Sequence, residues 1–210
     1  MSQAEIDFIT QFRTIPTTCI SDALDGLTNL TSSIKPLNEN DQVVGPARTV
    51  QVATGDNLAV LKAMYEASPG DVIVIDAKGD CTRAIAGDFV LGMAKTLGIA
   101  GFVVDGAIRD IRASKGLNFP IFCRGTTIAA SQKTGIGNIN VPISCGGVPI
   151  RPGDLIVGDA DGVTVIPKGQ EENVLQKAKK KQADDGARER AISDNVMAIR
   201  AYLEKMIHPS

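Results

Sequence analysis

Histidine is all but missing from this chain: of 210 residues only His208, near the C-terminal end, is one. Serine–histidine and cysteine–histidine catalysis need an imidazole beside the nucleophile, and catalytic zinc is usually held by several, so all three are set aside. Acid–base chemistry then falls to carboxylates, lysine, tyrosine or metal-bound water. The four cysteines, Cys19, Cys81, Cys123 and Cys145, are dispersed with no C-x-x-C pair, which argues against structural zinc and a disulfide framework. Cys19 and Cys123 lie in apolar surroundings and read as small core residues. Positive charge is not in excess either. Lysine and arginine number 22 against 24 aspartates and glutamates, a net charge of −2, whereas nonspecific nucleic-acid binding needs a basic face. The one basic cluster, Lys177–Lys181, is followed by Asp184 and Asp185 and reads as a solvated helix face. No apolar run reaches the ~20 residues of a membrane span, and the opening MSQAEIDFIT has no signal-peptide pattern. These absences predict a cytoplasmic protein with neither nucleic acid nor membrane as partner. No glycine-rich nucleotide-binding turn follows a first strand, which weighs against a methyltransferase.

What is present fits one well-buried α/β domain with a tail: 43% hydrophobic residues, 22% charged, and 21 glycines for its loops. Gln3–Phe12 has helical apolar spacing through Ile6, Phe8, Ile9 and Phe12. Thr18–Leu24 reads as a second helix, capped by Thr17 or Thr18 and stopped at Gly26. Val43–Ala53 is strand-like, and Asn57–Ala67 is a helix ended by Pro69-Gly70. PGDVIVIDAKG at 69–79 and PGDLIVGDADG at 152–162 each give a tight turn, an apolar strand and an Asp-x-x-Gly exit. The second continues into Val163–Ile166 as a hairpin. Asp159 and Asp161 lack the remaining ligands of a calcium loop, so a hairpin turn is the better reading. Phe119–Cys123 is followed by a Gly/Ser/Asn-rich strand region to Val148, in which residues 136–140 read as a loop. Residues 170–207 are charged and helical, with an interruption near Gly186 and little in a small domain to pack on, which suggests a neighbouring subunit.

The stretch AGDFVLGMAKTLGIAGFVVDGAIRDI, residues 86–111, carries the chemistry. Phe89–Leu97 reads as a helix with Asp88 at its N-cap and Gly98 at its end. Ile99–Val104 is a β-branched run typical of a buried strand. The helix descends about 15 Å and the strand climbs back roughly 20 Å, so residues 105–110 should emerge beside the N-terminus of the helix. Asp110 is then the best metal ligand, since one carboxylate with several waters suits Mg²⁺. Arg109 can donate to a carboxylate or enolate oxygen. The N–H groups of Asp88–Val90 can hold a carboxylate, and Asp88 can orient or deprotonate a water. The plainer alternative makes Asp88 a helix cap and Arg109 and Asp110 surface charges. Asp105-Gly106 reads as a turn. Lys78, Asp80 and Arg83 read as a solvated loop, with Lys78 the only lysine near the rim.

Asp88 followed after twenty residues by Arg109-Asp110 resembles the D-x20-R-D signature of the class II 4-hydroxy-4-methyl-2-oxoglutarate aldolases, in the superfamily of the regulator of ribonuclease E activity A (RraA-like). Similar phrases run in family order from about residue 17 to 167, among them Ser21–Leu24, Gly45–Thr49, Pro69–Val72, Gly101–Gly106, Pro152–Asp154 and Asp159–Val163. The resemblance implies a swivelling β/β/α domain over residues 1–167, with N-terminal helices, and a C-terminal helical extension, 168–210, packing on a neighbour in a homotrimer or homohexamer. It further implies a divalent cation, Mg²⁺ or Mn²⁺, and a 2-oxo acid substrate cleaved to pyruvate, with oxaloacetate decarboxylation as a second activity. Carried over, Gly87, Asp88, Phe89 and Val90 form the substrate-binding turn, Arg109 contacts substrate and Asp110 binds the metal. The family's inter-subunit acidic residue has Asp184, Asp185 and Glu189 as candidates. The non-enzymatic ribonuclease E regulators of the superfamily lack the complete D-x20-R-D set that this chain retains.

Overall fold

The computed structural model describes residues 3–135 and 137–208. Its helices are α1 (Gln3–Thr10), α2 (Thr17–Ala23), α3 (Leu58–Glu66), α4 (Asp88–Thr96), α5 (Ile111–Gly116), α6 (Glu171–Ile192) and α7 (Val196–Ile207). Its strands are β1 (Lys35–Pro36), β2 (Val43–Val52), β3 (Val72–Asp76), β4 (Ala84–Ala86), β5 (Gly101–Ile108), β6 (Ile121–Thr126), β7 (Gly137–Ile139), β8 (Ile143–Cys145), β9 (Val148–Ile150), β10 (Leu155–Asp159) and β11 (Gly162–Ile166).

At the centre β6, β5, β3 and β2 run parallel, and every residue of β3 and β5 is buried. Such apolar, β-branched runs form strands that must be covered on both faces. One face packs on α3 and α4 through Ala63, Leu91, Ala94 and Phe102. The other packs through Val74, Val103 and Phe122 on the β8–β9 hairpin. β10 and β11 continue the sheet antiparallel from β2, and β1 adds to β6. The two ends approach each other, with Lys35 Nζ donating to Asp161 O at 2.6 Å, so the sheet curls almost into a barrel. The hairpin expected over 152–166 is present, and Asp159 accepts from Asp161 N–H and from both the N–H and the hydroxyl of Thr17. That carboxylate staples α2 to the sheet. Accordingly α2 begins at Thr17 after Pro16, and its threonine is spent on Asp159 rather than on a cap.

Four expectations are corrected. The strand predicted to end at Val104 runs on to Ile108, because Asp105 is a buried member of β5 rather than a turn residue. Its carboxylate accepts from Arg124 and from Gly146 N–H at 2.8 Å, and a register shift beyond Val104 accommodates it. Gly106 sits so close to its neighbours that a Cβ would collide with Ala77 and crowd Asp80 O. Residues 137–139, read as loop, form β7 and pair antiparallel with β2; residue 136 lies outside the described residues. The long helix passes through Gly186 unbroken and ends at Ile192, where Asn195 caps α7 by accepting from Ala198 N–H. The first half of α6 also finds a partner in its own chain: Val174, Leu175 and Ala178 bury against Phe12, Ile20 and Val157.

Removing the buried Asp105 carboxylate leaves the part-buried Arg124 guanidinium without its counter-charge and the buried Gly146 N–H without its acceptor. Asp105→Ala should therefore lower stability by about 2–4 kcal/mol, read as a fall in the urea midpoint at constant m. An unchanged midpoint would show the pair to be dispensable.

Candidate active site

Strand β4 makes the site. Its three residues pair in parallel with the end of β5, Ala84 opposite Ala107 and Ala86 opposite Ile108, and Arg109 N–H donates to Ala86 O at 3.0 Å. Gly87 and Asp88, which follow β4 directly, are thereby delivered beside Arg109 and Asp110, which follow β5. The helix–strand reading of residues 86–111 is borne out, and β4, too short to show in the apolar pattern, supplies the missing clasp.

Gly87 is the N-cap of α4, and Asp88 is the first helical residue rather than the cap. The Asp88 side chain accepts from Phe89 N–H at 2.8 Å. Leu91 N–H makes the first intrahelical bond, to Gly87 O, so Asp88 and Val90 keep N–H groups with no helical partner, as first-turn residues must. Phe89, whose N–H is taken by Asp88, is 75% exposed beside this turn. Across from this turn, Arg109 Nε lies 3.2 Å from Asp110 Oδ2, both side chains 42% exposed. Asp110 adopts a left-handed conformation, φ 55°, which aspartate tolerates better than most residues but at some cost. A Cβ at Gly87 would overlap Asp110 Oδ2 and press on Arg109 Cγ at 3.1 Å, so the absence of a side chain there creates the carboxylate's seat.

These residues line a cleft of about 160 Å³ together with Asn57, Ser131 and Lys133. Asn57 Nδ2 donates to Ile85 O at 2.8 Å, leaving Oδ1 an orphaned acceptor. Ser131 Oγ is likewise buried without a partner. Among the described residues these are the two buried side-chain polar atoms left unsatisfied, and both residues line this cleft, which marks it as built for a polar ligand. A wider cavity of about 320 Å³ lies by α2 and β11, but its charged members, Asp22 and Asp161, are both acidic and would repel an anion. The smaller cleft sets the cations Arg109 and Lys133 and the start of α4 beside its own carboxylates, Asp88 and Asp110, so it alone of the two offers both signs of charge.

A family model described as Aldolase/RraA (RraA-like) matches residues 17–165. The chain belongs to this RraA-like family. A protein of Halalkalibacterium halodurans named "Putative 4-hydroxy-4-methyl-2-oxoglutarate aldolase" is 98% identical over 210 residues, covering the whole of both chains. An uncharacterized protein from Pseudomonas syringae has the same fold, with a TM-score of 0.80 at 28% identity over 93% of this chain and 96% of that one. The RNA-processing inhibitor RraA from Thermus thermophilis matches with a TM-score of 0.67 at 30% identity over 72% of this chain and 92% of its own. The expected RraA-like α/β fold, with helices before the swivelling β/β/α domain and a helical part after it, is the fold observed.

Within this RraA-like fold, Gly87, Asp88, Phe89, Val90, Arg109 and Asp110 line one cleft, the juxtaposition expected from a helix packed on the strand that follows it. Lys78 does not line the cleft; the lysine that does is Lys133, which sequence reading passed over. Asn57 and Ser131 were also missed. Asn57 was absorbed into a helix start, and 131–133 is a polar stretch whose only signal is its mixture of hydroxyl, amide and ammonium groups. Asp185, one candidate for an inter-subunit role, pairs with Lys181 at 3.1 Å and Arg188 at 2.7 Å on its own helix. Among the described residues no helix is long and apolar enough to cross a membrane.

Proposed function

We propose that the chain is a divalent-metal-dependent lyase that cleaves 4-hydroxy-4-methyl-2-oxoglutarate, or a related 4-hydroxy-2-oxo acid, to pyruvate, and that it decarboxylates oxaloacetate at the same site. The observation that carries this reading is the seat at Gly87, which brings the Asp110 carboxylate and Arg109 against the first turn of α4. The name of the relative at 98% identity supports the aldolase assignment.

The residues present fit a hydrated ion. Mg²⁺ dehydrates reluctantly and is commonly held by one or two carboxylates with waters and substrate completing its shell. Asp110 is half-exposed on the cleft rim and Asp88 lines the same cleft. Among the described residues no cluster of three or more His, Cys, Asp or Glu forms a closed cage. Asp110 would hold the Mg²⁺ or Mn²⁺, which when bound supplies a Lewis acid for the 2-oxo acid end of the substrate.

The chain's own groups do the remaining work. The N–H groups of Asp88 and Val90, at the positive end of α4, bind the pyruvyl carboxylate. Arg109 donates to the 2-oxo oxygen, where charge accumulates as the C3–C4 bond breaks and its electron pair forms the enolate. Asp88, through a water, takes the proton of the 4-hydroxyl as C4 becomes a carbonyl. Oxaloacetate loses CO₂ through the same enolate without that base. Lys133 offers a cation to the second carboxylate of a dicarboxylic substrate. The working assembly is a homotrimer or homohexamer in which the exposed apolar residues of α7, Val196, Met197, Leu203 and Met206, meet a neighbouring subunit.

Purified protein with Mg²⁺ should release pyruvate from 4-hydroxy-4-methyl-2-oxoglutarate and from oxaloacetate in a lactate-dehydrogenase-coupled assay. EDTA should abolish release and added Mg²⁺ restore it. No pyruvate from either substrate, or release indifferent to EDTA, would sink the proposal. Binding to ribonuclease E without lyase activity would favour a regulator instead.

A further inference from the structure

Asp56 sits between β2 and α3, 2% exposed, and among the described residues no ion pair reaches it. Its carboxylate is satisfied by hydrogen bonds alone. Oδ1 accepts from Leu58 N–H at 2.9 Å, and Oδ2 accepts from Thr134 N–H, from the Thr134 hydroxyl at 2.6 Å and from Gly135 N–H at 3.3 Å. Burial opposes the charge, but the hydrogen bonds from Thr134, Leu58 and Gly135 outweigh it and hold the carboxyl below its ordinary range.

Three of those four bonds come from one segment. Residues 129–135 are sewn to the rest of the molecule at several other points. Gln132 N–H donates to Gly55 O at 2.7 Å, Asn57 N–H to Gln132 O at 3.0 Å and Ala84 N–H to Ala129 O at 2.8 Å. Arg83 Nη1 donates to Ala130 O at 2.7 Å. An ordinary surface loop needs no buried charge to hold it, and a buried carboxylate is costly unless fully hydrogen-bonded. What this segment carries accounts for the device: Ser131 and Lys133 line the cleft, next to Asn57, which follows Asp56 in the chain.

We propose that Asp56 is a positioning residue that clamps Thr134 and Gly135 and thereby holds Ser131 and Lys133 where they grip the part of a 2-oxo acid beyond its pyruvyl unit. The assignment of which end lies where rests on the function proposed above. Asp56 touches no substrate. It acts through the strap, so its loss loosens one wall of the cleft and leaves the Gly87–Asp110 wall in place.

Binding separates the two walls without turnover. Pyruvate probes the wall made by α4 and Arg109, and 2-oxoglutarate, which has no 4-hydroxyl to cleave, adds a second carboxylate. With Mg²⁺ present, calorimetry on Asp56→Asn and on Lys133→Ala should show 2-oxoglutarate weakened about tenfold, the worth of one charge-assisted hydrogen bond. Pyruvate should change by less than about twofold. The double variant should be no weaker than the worse single one, because both changes remove the same contact. Lys133 is exposed, so that arm stands even if a change at Asp56 prevents folding. Equal weakening of pyruvate, an unmoved 2-oxoglutarate affinity, additive losses in the double variant, or a wild-type chain that binds neither acid would each overturn the proposal. A wild-type chain that discriminates the two acids but releases no pyruvate from a 4-hydroxy-2-oxo acid would count against the lyase alone and leave the clamp standing.

Discussion

Asp110→Ala should cut kcat/KM for pyruvate release by about 10³-fold while hardly moving the unfolding midpoint. Both halves follow from the geometry. The carboxylate is 42% exposed, and among the described residues its one ion pair is to an equally exposed Arg109, so the pair contributes at most about 1 kcal/mol to stability. Alanine at φ 55° is less comfortable than aspartate, a cost of about 1 kcal/mol at most. Against that small structural price stands the loss of the group assigned to the cation, and with it the charge stabilisation of the enolate. Asp110→Asn keeps the left-handed backbone and the shape but removes the charge, so it should be nearly as inactive and fully stable. Activity in Asp110→Asn close to wild type would show that the carboxylate's charge is not what the reaction uses.

Gly87→Ala is the more discriminating change, because the added methyl group would act by displacing the two charged side chains packed on Gly87. Gly87 has φ −132° and ψ −174°, extended backbone open to any residue, so alanine adds no backbone strain and even trims the freedom of the unfolded chain. Its Cβ, however, would occupy the position of Asp110 Oδ2 and stand 3.2 Å from Arg109 Nε. Both are far ends of half-exposed side chains and can move aside, which keeps the stability cost to about 1 kcal/mol. Moving them aside separates the carboxylate and the guanidinium from the first turn of α4. A displacement of about 1 Å at such a site is worth about a hundredfold in rate, and that fall in kcat/KM, with a near-native thermal midpoint, is the expected result. Wild-type turnover in Gly87→Ala would mean that the close approach at this turn has no part in the chemistry.

Much of this site was legible in the sequence because its two halves sit on elements with strong patterns. Phe89–Leu97 and Ile99–Val104 carry unmistakable helix and strand signals, and a helix packed on the strand that follows it returns the chain to its starting edge. The errors lie where tertiary contacts override local chemistry. Asp105-Gly106 has the composition of a turn, yet a guanidinium from β6 and an N–H from Gly146 make Asp105 a strand residue. Gly186 looks like a helix breaker, but one glycine in a 22-residue helix costs only about 1 kcal/mol. The far wall of the cleft was invisible for a different reason. Asn57, Ser131 and Lys133 are brought together by Asp56, whose partners Thr134 and Gly135 lie 78 and 79 residues away, and no periodicity records such a bond.

In the proposed function Gly87, Asp88, Val90, Arg109 and Asp110 form one pyruvyl site. A crystal structure of the protein grown with Mn²⁺ and pyruvate tests it most directly, since manganese is identified by its anomalous scattering. The metal peak should lie at the Asp110 carboxylate and the pyruvate carboxylate on the N–H groups that open α4, with Arg109 donating to the ligand. A metal peak away from Asp110, or pyruvate seated in the hydroxyl-lined cavity between Thr17 and Thr164, would contradict it.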